Sequence, residues 1–485
     1  MSMRILSAVL AAGIPLVAAD TNLKVDTSLT YGTWEGWGTS LAWWAATFGD
    51  RDDLADIFFT TKNTTFNGQT LPGLGLTIAR YNAGACSYNE VDGARINLTS
   101  HMNPTRAMDG FWIDPSSNDI TSNSFNWTTD ANQRAMLTKA IDRGVTHAEL
   151  FSNSPMWWML ENHNPAGGNT GGNNLANSNF DKHADYLAAI AEKAAKDWNV
   201  TFASIEPFNE PVADWWKGPT GTQEGCHFDA TSQPGVLSAL SEKMKARSIS
   251  SKTIISASDE NEYDQAVSTW NTIGPSAQAL VGRINVHGYQ YQNGDRAGVY
   301  ELAIAGKKAL WDSEYGDSDA TGTSLVSNLI LDFRWLHPTG WVYWQVLDSG
   351  GWGMIDADNN AKTINSPTTK YFAMAQFSRH IRPGMVIVSM GENTDNAVAA
   401  YDVANKKLVI VAVNWGDNQN FFFDLSNFAG YPASGSVVPT WVTDLSNDGN
   451  KYVMKTNNMM DGSKFSATLT KNSVQTFEIS DVTIS

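Results

Sequence analysis

From Gly36 onward, short apolar runs alternate with longer segments in which apolar residues recur every three or four positions. The short runs cover 36–40, 74–81, 147–153, 202–209, 253–258, 283–289, 308–314 and 340–346, each with the length and apolar content of a buried strand. Between them, 130–143 places Met136, Leu137, Ala140 and Ile141 on one face with Gly144 just past the end. In 181–198, Ala184, Leu187, Ala191, Ala194 and Trp198 repeat at helical spacing while the lysines face away, and a third helical pattern covers 236–249. Eight strands alternating with helices predict an α/β fold, a parallel (β/α)8 TIM barrel with long loops.

The pattern changes at Pro383, after a closing helical segment over 368–380. Runs at 385–389, 397–402, 408–413, 421–425, 437–442, 451–454, 465–469 and 474–479 follow, separated by Gly, Asn, Asp and Ser turns with no helical segment between them. That is the signature of an antiparallel β-sandwich side domain. Alternation over 23–31 predicts a strand that joins it from the N-terminal side. The expected organisation is therefore an N-terminal strand segment over 20–32, a catalytic barrel over 33–382 and a β-sandwich over 383–485. Ahead of these, 1–19 carries one early charge at Arg4, an apolar stretch from Ile5 to Val17 and then Ala18-Ala19. This reads as a cleaved secretory signal peptide, too short to span a bilayer, and no later segment approaches the roughly 20 apolar residues a membrane span needs. A secreted, extracellular protein is expected.

Composition narrows the partners. With 485 residues, 42% of them hydrophobic, the chain can bury a large core. A formal net charge of -17 argues against nucleic acid or anionic membrane, both of which demand basic patches, and favours a neutral substrate. An acidic secreted protein of this kind is expected to be a monomer. Export also makes a single Cys86–Cys226 disulfide the expectation, with two buried free thiols as the alternative. Asn63, Asn97, Asn126 and Asn199 each open a glycosylation sequon. The eight histidines show no metal-ligand spacing, and no Gly-rich nucleotide loop occurs, so neither metal nor cofactor is expected.

The chemistry gathers at two strand ends. The run at 202–209 leads into Asn209-Glu210-Pro211 and then Trp215-Trp216; Pro211 biases its predecessor towards extended backbone, which places Glu210 at the last extended position. The stretch 308–316 repeats the design, with an apolar run delivering Glu314 and Gly316 opening the turn. Two carboxylates on strand ends suit glycoside hydrolysis, in which one protonates the leaving oxygen and the other attacks the anomeric carbon or activates water. Tryptophans beside the strand ends, at 43–44, 157–158, 215–216, 344 and 352, suit stacking against sugar rings, with about half of them expected to be core. Among competing acids, Glu206 is expected to point into the barrel, Asp312 to share a face with Glu314 one layer deeper, and Asp259, Glu260 and Glu262 are candidates for binding hydroxyls.

Asn209-Glu210-Pro211 ending the fourth strand, a glutamate ending the seventh, and a sandwich joined by an N-terminal strand resemble clan A glycoside hydrolases, and within them glycoside hydrolase family 30. The segments GWGTSLAWW at 36–44, LGLTIARYN at 74–82 and WDSEYG at 311–316 are similar to those of the fungal endo-β-1,6-galactanases of that family. The resemblance implies a retaining mechanism with Glu210 as acid/base and Glu314 as nucleophile. It also implies that Asn209 holds the 2-hydroxyl, that Arg80 and Tyr289 sit by the nucleophile, that His287 supports them or touches substrate, and that Trp344 floors the sugar. Asn153, Trp158, Trp215 and Trp216 complete the expected substrate contacts. A cationic Arg80 beside Glu314 would keep that carboxyl a base and leave the other to serve as acid.

The implied activity is cleavage of β-1,6-galactosidic linkages in galactan side chains of arabinogalactan-type polysaccharide. A β-1,6-glucanase or another β-glycanase of the same family, such as a xylanase, is the alternative. The loop at 347–360 holds aspartates, glycines and Trp352 but no basic cluster to grip a uronate, which disfavours a glucuronoxylanase. A non-catalytic carbohydrate-binding barrel would have no need of both Glu210 and Glu314.

Overall fold

The computed structural model describes residues 20–391, 395–446 and 448–484, so the signal peptide expected over 1–19 lies outside the described residues. Eight parallel strands close into a barrel: β1 (Gly36–Ser40), β2 (Ile78–Asn82), β3 (His147–Phe151), β4 (Ser204–Glu206), β5 (Ile254–Glu260), β6 (Val281–His287), β7 (Ala309–Tyr315) and β8 (Gly340–Tyr343). They pair in sequence order, and β8 returns to β1 along Gly340↔Gly36 to Tyr343↔Thr39. Each overlaps an apolar run read from the sequence. The largest shortfall is β4, expected to reach Asn209. Pro207 has no N–H to give a ladder, so pairing stops at Glu206 and the segment carrying Glu210 leaves the sheet.

Helices Ala131–Asp142, Phe180–Lys193, Gln233–Ala246 and Thr369–Ser378 form on the 3.6-residue patterns. Their apolar stripes, such as Met136 with Ala140 and Leu187 with Ala191, are buried in the layer around the barrel. Inside the barrel, side chains change character from bottom to top. Ile78, Trp311 and Val342 plug the lower end. Two residues beyond Ile78 on β2 lies Arg80, level with Glu149 on β3, and around this pair stand Ser204, Ser256, Arg283 and Asn285, all buried. Glu149 accepts hydrogen bonds from Arg80 (3.1 Å), Ser204 Oγ (2.8 Å), Ser256 Oγ (2.9 Å) and Asn285 Nδ2 (3.1 Å), and pairs with Arg283. So many donors satisfy a carboxylate that has left water.

The side domain is two facing sheets. The larger has seven strands in the order Asp26–Thr33, Val386–Ser389, Ala397–Asp402, Lys407–Asn414, Ser473–Ile479, Val437–Asp444 and Val453–Met459. The smaller joins Thr21–Lys24, Gln419–Asp424 and Lys464–Leu469. The N-terminal segment therefore supplies one strand to each sheet, where a single joining strand was expected, and Thr21–Lys24 runs parallel to Gln419–Asp424 in an otherwise antiparallel arrangement. The unbroken apolar run of Lys407–Asn414 follows from burial on both faces. Val409, Val411 and Val413 join the core shared with the barrel helices, while Leu408, Ile410 and Ala412 face the smaller sheet.

Candidate active site

Two irregularities in the barrel ladder aim the candidate carboxylates. Against β6, β7 pairs Asp312 with Val286 and Glu314 with His287, so Ser313 is an extra residue. Strict alternation from the lumen-facing Trp311 would turn Glu314 outward with Asp312; the bulge at Ser313 turns it into the barrel mouth. Asp312 does face outward, within reach of the Tyr263 hydroxyl at 3.5 Å, which corrects the expectation that it lies beneath Glu314. A second shift, at Asp259 on β5, leaves that residue with φ 60° and points its carboxylate inward. Glu210 has φ 49°, in a turn rather than at the expected extended position. Its N–H donates to the Asp259 carbonyl (2.8 Å), and its own carbonyl accepts from Ala213 N–H (3.1 Å) and Trp216 Nε1 (2.9 Å). These bonds hold a left-handed backbone that a non-glycine residue rarely adopts, a strain associated with functional sites.

Glu314 is gripped at both oxygens, Oε2 by Arg80 at 2.8 Å and Oε1 by the Tyr289 hydroxyl at 2.9 Å. Oε1 of Glu210 accepts from Asn261 Nδ2 at 2.6 Å and lies 3.3 Å from His287 Nδ1. The His287 ring stands between the two, with Nδ1 3.7 Å from Glu314 Oε1 and Nε2 3.2 Å from Asp259 Oδ1. Burial works against a charge on His287, but Glu314 and Asp259 outweigh it and hold the imidazolium well above its ordinary range. Burial likewise opposes ionisation of Asp259, yet the Arg80 and His287 charges bring it down to about 2. For Glu314 burial dominates and pushes the carboxyl up, while His287 and Arg80 draw it back. Arg80 thus acts in the direction expected from the sequence but is outweighed by desolvation. One ligand atom each from Glu210, His287 and Glu314 lies within 4.8 Å of the others, a spacing that could hold a cation. The positive charge of His287 already stands at that point between the carboxylates.

Above these groups opens a cavity of about 280 Å³ walled by Trp43 and Trp344, which meet edge to face at 4.9 Å. Asn153 Nδ2, Asn209 Oδ1 and Trp43 Nε1 are buried at its wall and have no hydrogen-bond partner among the described residues. Buried polar atoms without partners at a cavity wall suit a ligand rich in hydroxyls. The cavity continues past Glu210, Gln223, Tyr289 and Trp352 into a second one of about 470 Å³ beside Trp215 and Trp216. The result is a trough with the two carboxylates part-way along it.

The description O-glycosyl hydrolase family 30 fits the chain over residues 20–279. The endo-β-1,6-galactanase of Hypocrea rufa is 50% identical over 466 residues, 96% of each chain. The chain belongs to glycoside hydrolase family 30. Among solved structures, the catalytic domain of GH30 xylanase C from Talaromyces cellulolyticus has a TM-score of 0.68 at 19% identity, covering 95% of this chain and all of that one. A conserved exported protein from Bacteroides fragilis has a TM-score of 0.74 at 18% identity, covering 94% of this chain and all of that one. At such identities these two likenesses speak to the fold alone.

Of the residues singled out in the sequence of this family 30 hydrolase, Asn153, Asn209, Glu210, Tyr289, Glu314 and Trp344 line the first cavity, and Arg80 and His287 lie beneath it in contact with the carboxylates. Trp215 and Trp216 line the second cavity but differ in kind: Trp215 is 45% exposed and Trp216 4%. Trp158 lies elsewhere. It is buried against Trp112, whose carbonyl accepts its Nε1 proton at 2.7 Å, and it belongs to the core. Cys86 and Cys226 are separate buried thiols, contrary to the expected bridge. The buried Glu224 carboxylate occupies the place beside Cys86, with Oε1 3.4 Å from Sγ, while Cys226 turns towards the His227 carbonyl. Asp259 and Glu260, candidates for binding substrate hydroxyls, are fully buried and line neither cavity; Glu260 accepts from Thr269 Oγ1 at 2.7 Å. Asn63, Asn97 and Asn199 are exposed, and Asn126 is half-buried with its Oδ1 bonded to Thr128. Gln223 and Arg106 escaped the sequence reading because they sit in long loops with no periodicity to place them, while Asn261 directly follows β5 and Asp348 ends the two-residue strand Leu347–Asp348, segments too short to carry a pattern.

Proposed function

We propose that the chain is a secreted, retaining endo-β-1,6-galactanase that cleaves galactan side chains of arabinogalactan-type polysaccharide. The observation that carries the mechanism is the spacing of the two carboxylates, whose nearest oxygens lie within 4.8 Å of each other. Retaining hydrolases hold the pair about 5–5.5 Å apart, whereas inverting ones leave about 6.5–9.5 Å for a water. The linkage is supported by 50% identity, over nearly the whole chain, to the fungal enzyme of that name. Action within a chain is supported by the trough's continuation on both sides of Glu210.

In the first step Glu314 attacks the anomeric carbon, its two oxygens aimed by Arg80 and Tyr289, while Glu210 gives its proton to the departing glycosidic oxygen. In the second, Glu210 takes a proton from water, which attacks the same carbon and frees Glu314 with net retention. The buried imidazolium of His287 balances the negative charge that Glu314 carries before attack and that Glu210 carries once it has given up its proton. Side-by-side release of reducing sugar from β-1,6-galactan, β-1,6-glucan and glucuronoxylan, with proton NMR of the first anomer, tests this reading. Release confined to galactan with a β-configured first product is expected; an α-configured product or preference for another glycan overturns it.

A further inference from the structure

At the end of the trough away from Trp215, loops after β1, β2 and β8 bring together polar groups that the catalytic cycle leaves unused. Arg106 ends the short turn Pro104–Arg106, its guanidinium 4.4 Å over the Trp43 ring and 3.5 Å from Gln223 Oε1, with no ion pair among the described residues. Asp348 faces the same cavity. Its carboxylate is anchored by Gln345 Nε2 (2.7 Å) and the Ser349 backbone N–H (2.8 Å), and Gln345 Oε1 in turn accepts the Trp43 backbone N–H at 3.2 Å.

Barrel order says which part of a sugar meets them. Glu210, Trp215, Trp216, Gln223, Asn261 and Tyr289 follow β4, β5 and β6, and the second cavity lies mainly on that side, closed by Trp352 from the loop after β8, so the leaving group departs there. Strands β8, β1 and β2 lie across the barrel. In a pyranose whose anomeric carbon faces Glu314, C4 lies across the ring from C1, towards that far wall. Arginine can only donate and a carboxylate can only accept, while a hydroxyl does both. We propose that Arg106 and Asp348 bind the 4-hydroxyl of the sugar held against Glu314 and thereby set preference for galactose over its C4 epimer glucose. Arg106 and Asp348 are half-buried, and a bound sugar with an equatorial 4-hydroxyl would cover them without offering that partner, which a site built to hydrogen-bond rejects more strongly than a hydrophobic one does.

This proposal rests on the galactanase reading, and its test separates the two. kcat/KM is measured for the wild type, Arg106→Gln, Arg106→Lys and Asp348→Asn on β-1,6-galactan and β-1,6-glucan. The same variants are tested on an aryl β-1,6-galactobioside and its analogue lacking the 4-hydroxyl on the sugar that reacts. The wild type should prefer galactan by about 10²-fold or more and lose a similar factor on the deoxy substrate. Arg106→Gln should lower activity on galactan by about 10²-fold, hold glucan within a few-fold and show almost no further loss on the deoxy substrate; Asp348→Asn should move the ratio the same way. Arg106→Lys, which keeps the charge, should fall between. A galactan-to-glucan ratio unchanged in variants that unfold at the wild-type temperature overturns the proposal and leaves the galactanase reading standing. A wild type that prefers glucan overturns both.

Discussion

Strand Lys407–Asn414 of the sandwich and β2 of the barrel are both buried on both faces, yet one runs from Leu408 to Val413 without a polar side chain while the other carries Arg80 and Asn82. Apolar contact has no direction, and at about 25 cal/mol per Å² the sandwich interior contributes stability without aiming anything. The barrel lumen spends its volume on Arg80, Glu149, Asp259, Arg283 and His287. Such buried ion pairs are weak evidence of stability, because desolvation cancels most of the attraction. They do fix directions: Arg80 holds Glu149, Asp259 and Glu314 at once. The molecule thus keeps scaffold and orientation in separate interiors, and substitutions should divide accordingly.

The sharpest division is between the carboxylates themselves. Glu314→Gln should lower kcat on the order of 10⁵-fold with unfolding little changed, since an amide cannot form the glycosyl-enzyme. Glu210→Gln should accumulate that intermediate from substrates whose leaving group needs no proton and release a β-glycosyl azide when azide is added. Azide rescue in the Glu314 variant instead, giving an α-azide, would reverse the two roles. Next in size, Arg80→Met should reduce kcat by about 10³-fold and also destabilise the fold by about 3–5 kcal/mol, because three carboxylates lose a buried partner. Ile410→Ala in the sandwich should cost about 2–5 kcal/mol with kcat unchanged. If denaturation and kinetics of these two variants moved in parallel, the separation of interiors would fail.

pH sharpens the contrast further. With its folded-state pKa brought down to about 2, Asp259 contributes stability that is complete above about 4 and is lost as pH falls through about 2. His287, held above its ordinary range, contributes stability that is complete below about 6.5 and is lost as pH rises through its folded-state value. Unfolding temperature should therefore decline towards both extremes, and Asp259→Asn should flatten the acid limb; an acid limb of unchanged slope would place the titrating group elsewhere. The smallest effect belongs to the trough's second cavity. Trp215→Ala should raise KM several-fold with kcat and stability nearly unchanged, whereas Trp216→Ala, buried under the Glu210 turn, should lower both stability and kcat.

Much of this architecture was legible because burial periodicity is a local signal. All eight barrel strands and the four helices compared above fall on apolar patterns read along the chain, and Glu210 and Glu314 stand out as carboxylates closing apolar runs. Pro207 was equally visible and marks where β4 stops, although the apolar run continues past it. Less legible were the bulges at Asp259 and Ser313, which arise from pairing with β6 and not from any preference of those residues, and which decide where Glu314 and Asp312 face. The partner of Cys86 is Glu224, 138 positions away, a choice made by packing between two loops.

By itself, then, the sequence determined the order of strands and helices, the sandwich that follows them and the two carboxylates, because hydrophobic spacing and strand-end chemistry are written in consecutive residues. Tertiary structure alone decided the separation of Glu210 from Glu314, the imidazolium between them, which tryptophans face the trough, and the placing of Arg106 and Asp348 at one cavity. Each of these depends on distances between segments far apart in the chain, and register, bulges and desolvation act only once those segments are packed together.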